Sequence, residues 1–501
     1  MQNILPSTAE VKISLFEKNF SLLLLAALAL GLVLPAIGTI GRLMGLGLFG
    51  APLLYALYLR LTHRQRSYEY FFILGFFATG EIFFRDFALV IVPFGGYLFV
   101  LYIIIILALS DLDALIALTR NRKFTGTYGF FLLFVLWTAI SIVFSSDPYK
   151  GRWFTTLDAS IVAMMGIALA YGMSKKARLG LLQGGLIGAM LLAGVTLGIA
   201  RSTTGTNSLG EVRLGDGWVS AVQIATILSV GALAYLIYFY EYRRFGVVPI
   251  VTFGMTLVLL FITYSRGPLA ALMVGASVYL VLRGSFMRGL VLSIILGALG
   301  IFVFIQFLNR PIDTRPVTAE VANSTSLFQK RFVNLDEATN RLPIWDAAIH
   351  IWLENPIAGV GVGGWFNAFA DYTGIIYGDS NHISDAHNMI LQAAAEGGLL
   401  AVVPLLIALI ALIVVALKRR SVIGLTFISW AITIGLVENW KVAAITFALG
   451  AAVISIWLEE YEGKDTFQTR AMMARQINAK IKADRAVRRR VPLENMDKRL
   501  P

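Results

Sequence analysis

Cysteine is absent from the 501 residues. That excludes disulfides, thiolate zinc sites and iron–sulfur clusters, and it suits an oxidising exterior without requiring one. Charge is scarce as well. Only 14% of the residues are Asp, Glu, Lys or Arg, where a soluble domain carries about 25%. Histidine occurs only four times. No cleavable signal peptide is expected, because residues 1–20 are mixed and polar and no short apolar region leads into a small-residue cleavage site.

What is present is apolar. Hydrophobic residues make up 57% and aromatics 12% of the chain, and the mean hydropathy is +0.75. Apolar runs of about 20 residues recur, enough to cross a hydrocarbon core roughly 30 Å thick. Lipid leaves the backbone to satisfy itself, so such runs become helices. The expected fold is an all-α, polytopic integral membrane protein of about 14 transmembrane helices. The expected spans are 20–38, 43–60, 68–84, 92–110, 127–144, 156–173, 179–200, 218–240, 247–264, 267–283, 288–307, 389–417, 421–437 and 441–459. Five regions follow: a cytoplasmic N-terminus (1–19), a helix bundle (20–307), a large external loop with amphipathic helices (308–389), C-terminal membrane helices (390–460) and a basic cytoplasmic tail (461–501). The loop lies between the eleventh and twelfth spans.

The net charge of +12 raises a nucleic-acid reading, but its distribution favours topology. Basic clusters at Arg60/Arg64/Arg66, Arg120/Arg122/Lys123, Lys175/Lys176/Arg178, Arg243/Arg244, Arg283/Arg288 and Lys418/Arg419/Arg420 all fall on one side when the spans are counted. The positive-inside rule makes that side cytoplasmic, with both termini inside. The tail carries helix formers and many basic residues over Ala471–Val491, as expected of a helix on anionic lipid or in solvent.

Arg201, Arg213, Arg266 and Arg341 then lie outside, where the topology rule asks for no cations. Arg266 sits in the short turn Thr263-Tyr264-Ser265-Arg266-Gly267-Pro268, with Pro268 placed where a missing N–H costs nothing. A guanidinium offers a planar fork of donors that matches phosphate oxygens. Two such groups on an outer face suit a lipid-linked diphosphate; snorkelling at the interface is the plain alternative. Glu81, Arg85 and Asp86 read as a structural pairing.

The external loop carries Arg310, Arg315, Lys330, Arg331 and Arg341. Arg341 opens an amphipathic helix whose stripe of Ile344, Trp345, Ala348, Ile351 and Trp352 packs on the membrane domain or dips into the interface. Asn355-Pro356 ends it. The run Gly359 to Gly364 lacks the strand–turn–helix context of a nucleotide loop, so tight turns against neighbouring backbone explain it better. His382, Asp385 and His387 form an incomplete metal pattern. His387 precedes Asn388 and an apolar run, where the loop re-enters the membrane, and a histidine there can accept a proton from an attacking hydroxyl. Glu396 follows inside the next helix, where a carboxylate is costly and often functional.

Taken in order, these motifs resemble the O-antigen ligase and O-antigen polymerase superfamily of bacterial envelope glycosyltransferases. The resemblance rests on Ser265-Arg266-Gly267, Arg341-x-x-x-Trp345, Asn355-Pro356-Ile357-Ala358-Gly359-Val360-Gly361 and His387-Asn388-x-x-Leu391-Gln392-x-x-x-Glu396-Gly397-Gly398, within about residues 200–410. It implies a periplasmic active site in the inner membrane and an undecaprenyl-diphosphate-linked glycan donor. The acceptor is lipid A–core or a second lipid-linked glycan, among membrane lipids, with no nucleotide sugar, nucleic acid, metal or other cofactor. It puts His387, Arg266 and Arg213 in the catalytic roles. The entrance Asp216-Gly217-Trp218 departs from the asparagine the family often has after the residue matching Arg213. Arg341, Arg331, Arg201, Asn388, Glu396 and Trp345 are the expected substrate-binding residues. O-antigen ligase is the expected activity, with a polymerase of the same superfamily as the alternative and a protein O-glycosyltransferase behind both. A transporter is disfavoured, since no internal repeat is seen and the charges sit at the outer edge.

Overall fold

The computed structural model describes residues 15–34, 68–79, 122–148, 174–202, 221–243, 246–263, 265–283, 341–373, 385–437 and 444–456, with isolated positions at 151–168 and at 458. Every regular element among them is helical. In chain order those of nine or more residues are α1 (Phe20–Val33), α2 (68–79), α3 (Arg122–Ser141), α4 (Lys175–Ser202), α5 (Ala221–Tyr242), α6 (Val247–Ile262), α7 (Arg266–Leu282), α8 (Arg341–Glu354), α9 (Trp365–Thr373), α10 (Met389–Lys418), α11 (Val422–Val437) and α12 (Ala444–Ile456).

The expectation of about fourteen membrane helices does not hold. Among the described residues, four helices are long and apolar enough to cross a membrane: Thr127–Phe144, Lys175–Gly198, Val222–Tyr242 and Met389–Lys418. The apolar helices α1, α6, α7, α11 and α12 are shorter, at 10–17 residues, below the ~20 a perpendicular span requires. Hydropathy reports how long an apolar run is, not how much of it is wound into one helix. The runs at 43–60, 92–110 and 288–307 lie outside the described residues.

Small residues set how the helices pack. Gly180, Gly184 and Gly188 line one face of α4 at every fourth position. A Cβ on any of them would stand within 2.3 Å of Tyr68 O, Phe72 O or Thr79 Oγ1 of α2. Gly31 of α1 and Gly194 of α4 face each other just as closely. Such approach lets backbones pack where lipid offers no hydrophobic drive between helices. Several polar side chains inside the bundle find partners on their own or a neighbouring helix. Thr226, Thr252, Thr256 and Thr426 each bond the carbonyl four residues back, and Trp430 Nε1 donates to Ser229 Oγ across helices at 3.1 Å. Leu132, Leu133 and Leu136 of α3 and Leu399, Leu400, Val403 and Ile410 of α10 point outward, as apolar side chains do towards lipid.

The most consequential feature is a break in α10. Gly398 has φ 61° and ψ −159°, so the helix stops there and restarts. A straight helix would pair the carbonyls of Ala395, Glu396 and Gly397 with the N–H groups of residues 399, 400 and 401. Instead Val360 N donates to Ala395 O (3.0 Å), Gly361 N to Glu396 O (2.9 Å) and Trp137 Nε1 to Gly397 O (2.7 Å). The freed N–H groups of Leu399 and Leu400 donate to Pro356 O (2.9 Å) and Ile357 O (3.2 Å). The glycine-rich segment is thus the complement of the broken helix: together with Trp137 it takes up these three carbonyls and two N–H groups, as irregular backbone inside an apolar bundle requires.

Gly398 is required there on two counts. Its φ lies in the left-handed region, and a Cβ would fall 2.3 Å from Ile357 O. Gly398→Ala is expected to cost at least about 2 kcal/mol, combining left-handed strain with overpacking. The fall in Tm of the purified protein in detergent measures it; an unchanged Tm would show that the break is not held as described.

Candidate functional site

The site is built where the loop elements meet the start of α10. Asn388 caps that helix: its side-chain oxygen accepts from Ile390 N and Leu391 N at 3.0 and 3.1 Å, the arrangement that satisfies orphan N–H groups of a first turn. Its Nδ2 donates to Leu436 O at 3.1 Å. The Arg341 guanidinium donates to Val437 O next along. Both therefore hold the C-terminal carbonyls of α11, where a cation complements the helix dipole. Arg341 thus ties α8 to the membrane helices, a task its substrate-binding assignment did not anticipate.

His387 is held from several directions. Its φ is +48°. Among the described residues, the other non-glycine positions with positive φ, Arg243 and Arg420, follow helix C-termini, where a left-handed residue is usual. His387 precedes a helix, so its conformation is imposed by its neighbours. Trp345 Nε1 of α8 donates to Ala386 O at 3.0 Å. Ala386 N donates to Gln392 Oε1 at 2.6 Å. Asp385 Oδ1 accepts the His387 backbone N–H at 2.8 Å, and the same oxygen lies 3.3 Å from His387 Nδ1.

That last contact bears on the tautomer of the ring. With Nδ1 facing a carboxylate, the proton of neutral imidazole sits on Nδ1 and the lone pair on Nε2. The histidine side chain is 34% exposed and the carboxylate 16%. The pair has the geometry of an imidazole oriented by a carboxylate, the arrangement that base–orienter pairs use. Asp385 had been read only as part of an incomplete metal pattern. An acid two residues before a histidine at a helix entrance is the signal that could have found it. His382, the other histidine of that pattern, lies outside the described residues.

Glu396 is buried, at 2% exposure. Its Oε1 accepts Gly363 N at 2.9 Å, so it fastens the glycine-rich segment to α10 beside the break. Arg266 enters from another helix, as the first residue of α7 and half-buried, after an extended Ser265. The helix it begins packs along α11, whose C-terminus Arg341 and Asn388 hold. Arg201 lies in the last turn of α4, its side chain outside the described set. Arg213 and Arg331 fall outside the described residues altogether. The structure thus brings Arg341, Trp345, His387, Asn388 and Glu396 into one network around the start of α10.

The described residues thus form a helical bundle with four candidate membrane spans and a histidine–carboxylate pair beside a broken helix. Residues 250–406 match the family model described as O-antigen ligase. An O-antigen ligase domain is present over that segment, which supports assignment to the O-antigen ligase/polymerase superfamily and, at that level, a glycosyltransferase-type role on lipid-linked glycans. The match takes in Arg266, Arg341, His387 and Glu396; Arg201 and Arg213 precede it. No curated protein matches the chain.

Proposed function

We propose that the protein transfers an undecaprenyl-diphosphate-linked glycan to an acceptor hydroxyl on the periplasmic face of the bacterial inner membrane, with both termini cytoplasmic. The reading we favour is O-antigen ligase, with lipid A–core as acceptor. The observation that carries it is the Asp385–His387 pair at 3.3 Å, within the segment that matches the O-antigen ligase family model.

The acceptor hydroxyl attacks the anomeric carbon in line. Its proton passes to His387 Nε2, and Asp385 stabilises the imidazolium that forms. The bond from the anomeric carbon to the diphosphate oxygen breaks with its electron pair on that oxygen, and the sugar inverts. The leaving diphosphate needs fixed positive charge, which a guanidinium supplies with no reorganisation as the reaction proceeds. Arg266 takes that role, and Arg213 is its proposed companion. Arg341, Arg331, Arg201, Asn388, Glu396 and Trp345 are the proposed substrate-binding residues.

Asp385→Asn keeps the shape but loses the charge and the fixed tautomer. It is expected to lower kcat by as much as ~10⁴-fold, the scale seen when a base loses its orienting carboxylate, with KM for the donor little changed. Turnover of purified protein on a lipid-linked donor, read as release of undecaprenyl diphosphate, measures it; full activity in Asp385→Asn would remove the orienting role. Deletion of the gene separates the two reactions. A ligase deletion leaves lipid A–core without long polysaccharide and accumulates lipid-linked polymer. A polymerase deletion leaves single repeats on the core. The polymerase reading draws on Arg315, Lys330, Arg331 and Arg341, which could hold a second lipid-linked substrate.

A further inference from the structure

Behind the His387 turn lies a small cavity, about 20 Å³, between α3, α10 and the glycine-rich segment. It has room for about one water molecule. Its walls are mainly apolar, Phe134, Met389 and Leu405 among them, with Thr138, Asp158, Gln392 and Glu396 the polar residues. Asp158, Gln392 and Glu396 are 2–3% exposed, so charge and amide are buried together in an otherwise apolar bundle.

Gln392 connects this cavity to the catalytic turn. Its Oε1 must be the acceptor that faces Ala386 N at 2.6 Å, which assigns the other amide position as Nε2. Among the described residues that buried Nε2 has no hydrogen-bond partner. An orphaned buried donor costs about 1–3 kcal/mol, so the site calls for an acceptor. Asp158 and Glu396 are the carboxylate residues among the walls of the cavity beside it.

We propose that Gln392 is the positioning residue for His387, acting through Ala386, and that its Nε2 is anchored to Asp158 and Glu396 by a water molecule in this cavity. The inference rests on the proposed role of His387 as base. Gln392 grips the turn with its oxygen and the interior of the bundle with its nitrogen. His387 is thereby held in a left-handed conformation it would not otherwise keep, with Nδ1 on Asp385. Glu396 serves twice, since its Oε1 also holds Gly363 N.

The test uses Gln392→Glu, which has the same shape. A protonated glutamic acid offers one acceptor and one donor, as glutamine does; the carboxylate offers acceptors alone and faces Asp158 and Glu396 across the cavity. Asp385 and His387 lie in the turn above, and Arg341 at the start of α8. Asp346, His350, Glu354 and Asp371 of α8 and α9 are exposed. The ionisable residues of α3 (Arg122, Lys123, Tyr128) stand at the opposite end from Thr138, and α11 has none. At neutral pH Gln392→Glu is expected to lose tenfold or more in kcat, with KM for the donor unchanged. Its activity relative to wild type at the same pH should rise as the medium is acidified and the new carboxyl protonates. Asp158→Asn should restore part of the loss in the double variant. A side chain that only fills space gives a ratio flat with pH and no rescue, which would overturn the proposal.

Amide hydrogen exchange supplies a readout that needs no activity. The peptide containing Ala386 and His387 should exchange faster in Gln392→Leu than in wild type; unchanged protection would sink the proposal even if that variant were inactive. His387→Asn serves as the control. If it keeps full transfer, the reading of His387 as base fails, whereas the exchange result stands or falls separately.

Discussion

Replacing His387 with asparagine is expected to abolish measurable transfer and leave a folded protein. A positioned base contributes ~10²–10⁴-fold, and no other side chain of the turn 385–388 can take a proton while facing a carboxylate through a second ring nitrogen. Asparagine is the informative substitution because His387 has φ +48°. Asparagine visits the left-handed region readily, so His387→Asn removes the ring and keeps the backbone content. His387→Ala should be as inactive, with a small added cost in stability. The fold is not expected to depend on the ring, which is one-third exposed and contributes nothing to the buried core. The measurement is single-turnover release of undecaprenyl diphosphate alongside a thermal melt. An asparagine variant that turned over at the wild-type rate would mean the histidine is not the base.

The helical nature of the chain was legible because lipid leaves the backbone few alternatives. The start of α10 was legible as well, since Asn388 ahead of an apolar run is a capping signal, and Asn355-Pro356 follows directly on the last residue of α8. The number of membrane spans was not legible. An 18-residue apolar run and a 16-residue helix such as α6 or α11 look alike to a hydropathy window, yet only one is long enough to cross.

The site was half visible. His387 stood out because it directly precedes Asn388 and an apolar run, where the loop re-enters the membrane. Asp385 did not, because its role depends on a turn that folds its carboxylate back onto the ring two residues later. The glycine run was recognised as turns against backbone. What it turns against could not be read, because the donors and acceptors freed at Gly398 are matched by residues about forty positions earlier and by Trp137 from another helix. Hydrogen-bond accounting of that kind is a property of the folded chain, and no local pattern carries it. Arg341 shows the converse: a striking cation in the sequence is occupied with the end of α11.

Arg266 carries the second large effect, and its placement sharpens the expectation. It is the first residue of α7, at the positive end of a helix dipole, where a cation is disfavoured by about 0.3–1 kcal/mol. The same helix end offers unsatisfied N–H groups that suit an anion. A guanidinium at that point is a poor choice for the helix and a good one for a diphosphate bound beside it. Arg266→Ala is therefore expected to leave folding intact and to lower kcat by at least ~10²–10³-fold, the cost of removing one group that stabilises developing negative charge. Arg266→Lys keeps the charge but not the fork, so it should recover only part of the loss. Donor binding separates this from a structural role: affinity for a lipid diphosphate should fall in Arg266→Ala and become less sensitive to salt, because one screened contact is gone. Full turnover by the purified alanine variant would end the assignment of Arg266 as the diphosphate clamp and shift that role to Arg213.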